Sequence, residues 1–226
     1  MNSPHHSAEN WPPPLDLSVD SKRFGNHYGG WNVLSEYINE HSLIYSAGVG
    51  EDASFDLELI DEKNCTIHAF DPTPRAIDWV KKNISSDHFK MHAFGLGASN
   101  RIATFSAPEN PEYVSQTILK DVFKNTKKID VQLHRLKTIM DKLGHSHIDI
   151  LKMDIEGAEY EVIKDLADTD IRPKQILVEF HHRFDPLSVE DSVEAVATLR
   201  SIDYKTFWRS KSGYEIGLVH QPQEEA

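Results

Sequence analysis

Leu151-Lys152-Met153-Asp154-Ile155-Glu156-Gly157-Ala158-Glu159 is an apolar run that ends abruptly in acids and a glycine. The run begins at Ile148 and is interrupted only by Asp149 and Lys152, which suits a buried strand. Beyond the acids, Ala158, Val162, Ile163, Leu166 and Ala167 recur at helical spacing. The stretch therefore reads as strand, short turn, helix. A buried strand handing over directly to an amphipathic helix is the building unit of a mainly parallel sheet, so the expected class is α/β.

The same unit recurs on either side. Upstream, Leu43 to Ala47 ends in Gly48-Val49-Gly50, and Ala53, Leu57 and Ile60 then follow at helical spacing. Thr66 to Phe70 ends at Asp71-Pro72 and leads into a helix carrying Ala76, Ile77 and Val80 on one face. A third strand, Phe89 to Phe94, precedes Gly95-Leu96-Gly97, and short strands at Ile102 to Phe105 and Ile129 to Leu133 form an excursion before the sheet resumes. Downstream come a strand at Gln175 to Phe180, a helix marked by Val189, Val193, Val196 and Ala197, and two strands, Tyr204 to Trp208 and Tyr214 to Val219, around Ser212-Gly213.

Bulk properties narrow the function. A chain of 226 residues can bury its core as one domain, expected over residues 21–226, with residues 21–42 as an N-terminal cap over the sheet. Residues 1–20, with His5, His6 and Pro12-Pro13-Pro14, read as a flexible tail without a secretory signal. The 24 basic and 36 acidic residues leave a net charge of -12, which repels a nucleic-acid backbone; the small cluster Lys124, Lys127 and Lys128 reads as a solvated face. No apolar run is long enough to span a bilayer. With Cys65 the single cysteine, an intramolecular disulfide and a cysteine-rich zinc site are excluded and a reducing, cytoplasmic setting is expected. The expected partner is a small molecule; these features leave the oligomeric state open.

In open parallel sheets ligands bind beyond the carboxyl ends of the strands, so the residues that follow each strand carry the functional reading. Gly48 and Gly50 let the backbone approach a ligand, although sterics alone also favour glycine in a tight turn. Asp71, at the end of the second strand, can accept hydrogen bonds from a ribose diol. A dinucleotide fits less well, because a third glycine is replaced by Ala53 and the acids Glu51 and Asp52 oppose a pyrophosphate at the helix start. S-adenosylmethionine (SAM), a nucleoside cofactor without phosphate, fits better.

The segments Ser46 to Asp52, His68 to Pro72, Leu151 to Tyr160 and Leu177 to His181 together closely resemble the FkbM family of methyltransferases, and the likeness extends over roughly Leu43 to Val219. The resemblance implies a class I methyltransferase (Rossmann-like) fold: a seven-stranded, mostly parallel sheet with helices on both faces and the last strand antiparallel. It implies O-methyl transfer from SAM, with Gly48, Gly50, Glu51 and Asp71 holding the cofactor and Leu96 near the adenine.

Acids and histidines at the later strand ends are the candidates for chemistry. Asp154 is the principal one, whereas Glu156 is equally well read as a helix cap. Glu179 and His181 share a side of their strand and can converge on Asp154. A divalent cation such as magnesium held by Asp154, Glu179 and His181 could orient an acceptor hydroxyl and lower its pKa. Without metal, His181 could remove the hydroxyl proton. Lys152 is expected to pair with an acid such as Glu179, and His182 to bond backbone in a loop. The leading reading is O-methylation of a small molecule such as a sugar or natural-product alcohol. The alternatives are a SAM-binding module without turnover and an NAD-dependent oxidoreductase.

Overall fold

The computed structural model describes residues 11–106 and 128–222. The chain opens with a short hairpin of β1 (Lys22–Phe24) and β2 (Trp31–Val33), then β3 (Leu43–Ala47), α1 (Ser54–Lys63), β4 (Thr66–Phe70), α2 (Pro74–Asn83) and β5 (Phe89–His92). The excursion follows as β6 (Gly95–Leu96), β7 (Arg101–Ser106) and β8 (Lys128–His134), with α3 (Leu136–Leu143) after it. The second half holds β9 (Ile150–Met153), α4 (Glu159–Ala167), β10 (Gln175–Glu179), α5 (Val189–Ser201), β11 (Tyr204–Arg209) and β12 (Glu215–His220). Of the basic cluster, Lys124 and Lys127 lie outside the described residues, as do His5 and His6.

β3, β4, β5, β9, β10, β11 and β12 form one seven-stranded sheet in the order β11-β12-β10-β9-β3-β4-β5. All neighbours are parallel except at β12, which lies antiparallel between β10 and β11. The excursion makes its own three-stranded sheet, β6-β8-β7.

Strand alternation sorts the core into two faces. Tyr45, Leu151, Met153, Ile176 and Val178 pack with α3, α4 and α5 through Ile139, Ile163 and Leu199. Ile44, Ile67, Ile150 and Leu177 point the other way, toward Phe55 and Leu59 of α1 and toward Phe24, Trp31 and Val33 of the hairpin. Helices thus cover both faces, and the hairpin supplements one of them.

Two helix starts show how local chemistry sets the boundaries. Ser188 caps α5 in a reciprocal box with Asp191, and Thr73 caps α2 with Pro74 in its first turn. α4 differs from expectation: its cap position is Ala158, without a side-chain bond, and Glu156 lies two residues earlier at φ 54. Glu156 is therefore no helix cap, because its left-handed backbone turns it out of the helix start.

The tail expected over residues 1–20 is held to the body from Trp11 onward. The Trp11 ring packs edge-on against Phe180 and His182 at 5.8 and 5.3 Å. Asp16 accepts hydrogen bonds from the Arg200 guanidinium at 2.9 and 3.0 Å and from the Thr206 amide at 2.8 Å. An aromatic ring that finds an apolar seat and a carboxylate that finds a guanidinium offset the entropy of a polar tail.

Candidate functional site

The ends of β3, β4, β9 and β10 open into a cavity of about 1150 Å³, lined among others by Gly48, Gly50, Asp71, Leu96, Asp154 and Glu179. Its first wall is the turn after β3. Gly48 has φ +83, and a Cβ there would lie 1.7 Å from the Asp154 carbonyl oxygen, so only glycine lets this turn lie against the tip of β9.

Asp71 organises that turn. Oδ2 accepts from the Val49 and Gly50 amides at 3.1 and 3.0 Å, and Oδ1 accepts from the Thr73 amide and hydroxyl at 2.9 and 2.7 Å. Each carboxylate oxygen already serves two donors, so Asp71 first of all pins the glycine turn to β4. Glu51 lines the cavity but is engaged by the Arg75 guanidinium in two bonds, at 2.9 and 2.6 Å. That pairing offsets the charge that counted against a phosphate at this helix start. Leu96 is buried in the wall, supplying apolar surface beside Gly95.

At the opposite end Asp154, Glu156 and Glu179 line the cavity, with His181 behind them. His181 Nε2 stands 3.6 Å from Asp154, 3.3 Å from Glu156 and 3.7 Å from Glu179. Asp154, Glu156 and His181 are mutually close enough to hold one cation, with Glu179 beside them, so Glu156 enters a donor set expected from Asp154, Glu179 and His181. The His181 side chain is 1% exposed and is not part of the cavity lining. His181 thus meets the cavity only through the carboxylates in front of it.

Burial opposes a charge on His181, but the hydrogen bond and charge of Glu159, with Asp154 and Glu156, raise its pKa to about 9. Burial and the charge of Asp154 raise the Glu179 pKa, against the pull of His181 and Arg183. The Arg183 guanidinium holds Glu179 at 2.8 Å.

Lys152 does not pair with Glu179. Its ammonium donates to the Gly48 carbonyl and lies over the Trp31 ring, 5.8 Å from the centroid. It also lies on the sheet face of α1, where its charge lowers the pKa of buried Asp56 against the larger effect of burial. His182 bonds the Ser192 hydroxyl at 2.9 Å through its side chain.

Several cavity residues escaped the sequence reading, among them Arg23, Tyr28 and Arg183. Tyr28, at the hairpin tip, borders the cavity mouth while remaining 91% exposed. The tip is latched to the turn after β3: Asn26 donates to Asp52 at 2.7 Å while accepting from the Tyr28 and Gly29 amides, each at 2.7 Å. Gly29-Gly30 hinted at a turn there, but an aromatic residue before a glycine pair has no periodic signature.

A parallel sheet with one antiparallel strand inserted beside its edge, and a cavity across the strand ends, is the class I methyltransferase fold. The chain belongs to the FkbM methyltransferase family: residues 39–206 match the methyltransferase FkbM domain. It is 25% identical over 185 residues to the human protein described as probable methyltransferase-like protein 24, covering 78% of this chain and 44% of the relative. The rat counterpart is 25% identical over 172 residues, covering 73% and 41%. The chain thus spans less than half the length of these curated relatives. A solved FkbM methyltransferase from Methylobacillus flagellatus KT shares the fold at 13% identity and a TM-score of 0.50, over 80% of this chain and 44% of that one. No helix among the described residues is long and apolar enough to cross a membrane.

Proposed function

We propose that the chain is a SAM-dependent O-methyltransferase acting on a hydroxyl group of a small molecule. The observation that carries the reading is the contact between the Gly48 turn and the Asp154 carbonyl, which puts the cofactor turn and the acid cluster in one cavity. The residues suit a nucleoside cofactor: a glycine cradle that a Cβ would fill and an apolar wall at Leu96. Gly48, Gly50 and Leu96 would hold SAM, with Asp71 fixing the glycine turn beneath it and Glu51 at the rim. Bound there, SAM would supply an electrophilic methyl group on a sulfonium.

The chain's own contribution is alignment and proton handling. Asp154 and Glu179, lining the floor, accept the hydrogen bond of an acceptor hydroxyl and provide a place for its proton. His181 gathers these carboxylates from behind. The carboxylates of this set would suit a hard divalent cation, which would lower the pKa of the hydroxyl directly; His181 would join them only on losing its Nε2 proton.

Calorimetry with S-adenosylhomocysteine (SAH), with NAD as competitor, tests the cofactor. Mass spectrometry after incubation with SAM and a panel of polyols and sugars tests the acceptor class. Asp154→Asn should cost about a hundredfold or more in turnover while leaving SAH affinity intact. Activity unaffected by EDTA would remove the cation, and an active Asp154→Asn variant would remove the role given to that acid. SAH binding without turnover on any acceptor would instead favour a binding module.

A further inference from the structure

We infer that Glu159 is a positioning residue: buried behind the cavity, it fixes the His181 imidazole so that Nε2 faces Asp154, Glu156 and Glu179 as a group. The use made of that group rests on the acceptor-site reading above; the orientation of the ring does not.

Glu159 opens α4 and is 0% exposed. Placing a carboxylate in a protein interior is costly unless its oxygens are satisfied, as for any buried ion. Here Oε1 accepts from both the backbone amide and Nδ1 of His181, each at 3.0 Å, and Oε2 accepts from the Gly157 amide at 3.0 Å. Among the described residues its ion-pair partner is His181, with no lysine or arginine. Two backbone amides would satisfy a purely structural acid. The third contact, to a ring nitrogen, has a directional consequence.

A carboxylate whose oxygens already receive N–H donors can only accept, so the nitrogen facing it must carry a hydrogen. Nδ1 therefore carries a hydrogen whether the ring is neutral or charged, in the same way that a buried acid orients a catalytic histidine. Nε2 is left pointing the other way. It is buried, has no hydrogen-bond partner among the described residues, and has three carboxylates within 3.7 Å. The bond from the Gly157 amide ties this geometry to the turn that carries Asp154 and Glu156, while the His181 amide ties it to the tip of β10. One side chain thus sets the spacing of two strand ends as well as the sense of the ring.

Glu159→Gln separates positioning from packing, because the amide is isosteric but half donor. With its oxygen toward Gly157, its NH2 group confronts the His181 amide and forces Nδ1 to become an acceptor. With its oxygen toward His181, it confronts the Gly157 amide instead. The measurement is a long-range proton–nitrogen correlation spectrum of the full chain labelled with 15N-histidine, without cofactor. His181, one of 13 histidines, is identified by the signal missing in His181→Asn.

The expected result is a protonated Nδ1 with a downfield, slowly exchanging proton in the wild type, lost or displaced in Glu159→Gln, with SAH affinity unchanged between the two. A bare Nδ1 in the wild type, or an identical signal in Glu159→Gln, would overturn the inference. If the variant does not fold, the wild-type Nδ1 signal decides alone. Failure of the wild type to bind SAH would sink the cofactor reading and leave the Nδ1 result standing.

Discussion

Asp71→Asn separates two roles that a single acid can combine. The carboxylate holds four donors on the turns after β3 and β4. In the variant, the amide oxygen keeps the Val49 and Gly50 amides, but the NH2 group faces the Thr73 amide, donor against donor. The Thr73 hydroxyl can reverse and accept; the Thr73 amide cannot. Hydrogen bonds to a charged acceptor contribute about 1.5–3 kcal/mol each, and an unmatched buried N–H costs about 1–3. One lost bond and the lost charge assistance on the others then amount to about 2–4 kcal/mol. That is a large fraction of the roughly 5–15 kcal/mol that stabilises a domain. Urea unfolding gives the stability, and calorimetry with SAH gives the affinity. Both should fall together, because the cofactor turn relaxes when its pin is weakened. Unchanged stability with abolished SAH binding would refute the pinning argument and leave Asp71 as a ligand-contacting residue only.

Three further outcomes can be measured. Gly48→Ala places a Cβ against the Asp154 carbonyl at a φ of +83, and thermal melting should show a loss of about 3 kcal/mol or more; a tolerated alanine would mean that the turn does not lie against β9. Burial first, and then the charges of His145 and His92, depress the His68 pKa from 6.5 to about 4. As pH falls below 6.5 the unfolded chain takes up the proton first, so this stabilisation is present above pH 6.5 and drains away down to about pH 4. After discounting for partial exposure the loss by pH 5 is about 1 kcal/mol, and His68→Phe should flatten that slope in urea titrations. Trp11→Ala should destabilise by about 2 kcal/mol, less than a fully buried tryptophan, whereas an unchanged melting temperature would return residues 11–17 to a loose tail.

Much of the architecture is written in local pattern. β3, β4, β9 and β10 stand out because short apolar runs each end in a glycine or acid, and their neighbours carry helical stripes. The β1–β2 hairpin does not, since its strands are three residues each and show no alternation to read. Leu136, Ile139, Met140 and Leu143 of α3 do have helical spacing, but they directly follow the excursion, where strand signals dominate. The site divides in the same way. Asp154, Glu179 and His181 could be gathered from strand ends alone. The partner of Lys152 could not, because it is a backbone carbonyl 104 residues away. Nor could the duty of Glu159, which looks like an ordinary acid in a first helical turn until His181 is brought against it across 22 residues. Strand ends are local; the bonds that distinguish one acid from another are not.

The position of β12 bears on how the domain is assembled. Because it lies between β10 and β11, β11 has no strand to join until β12 has been synthesised and inserted. On the ribosome, β10 would meanwhile present an open edge, and the earlier βα units could associate by local steps before it is covered. Final closure is a non-local event in which the β11–β12 hairpin docks as a unit, bringing Tyr214 and Glu215 to the cavity rim. Pulse-labelling hydrogen exchange during refolding should therefore find the amides of β11 and β12 protected last, with a competent cavity appearing in the same phase.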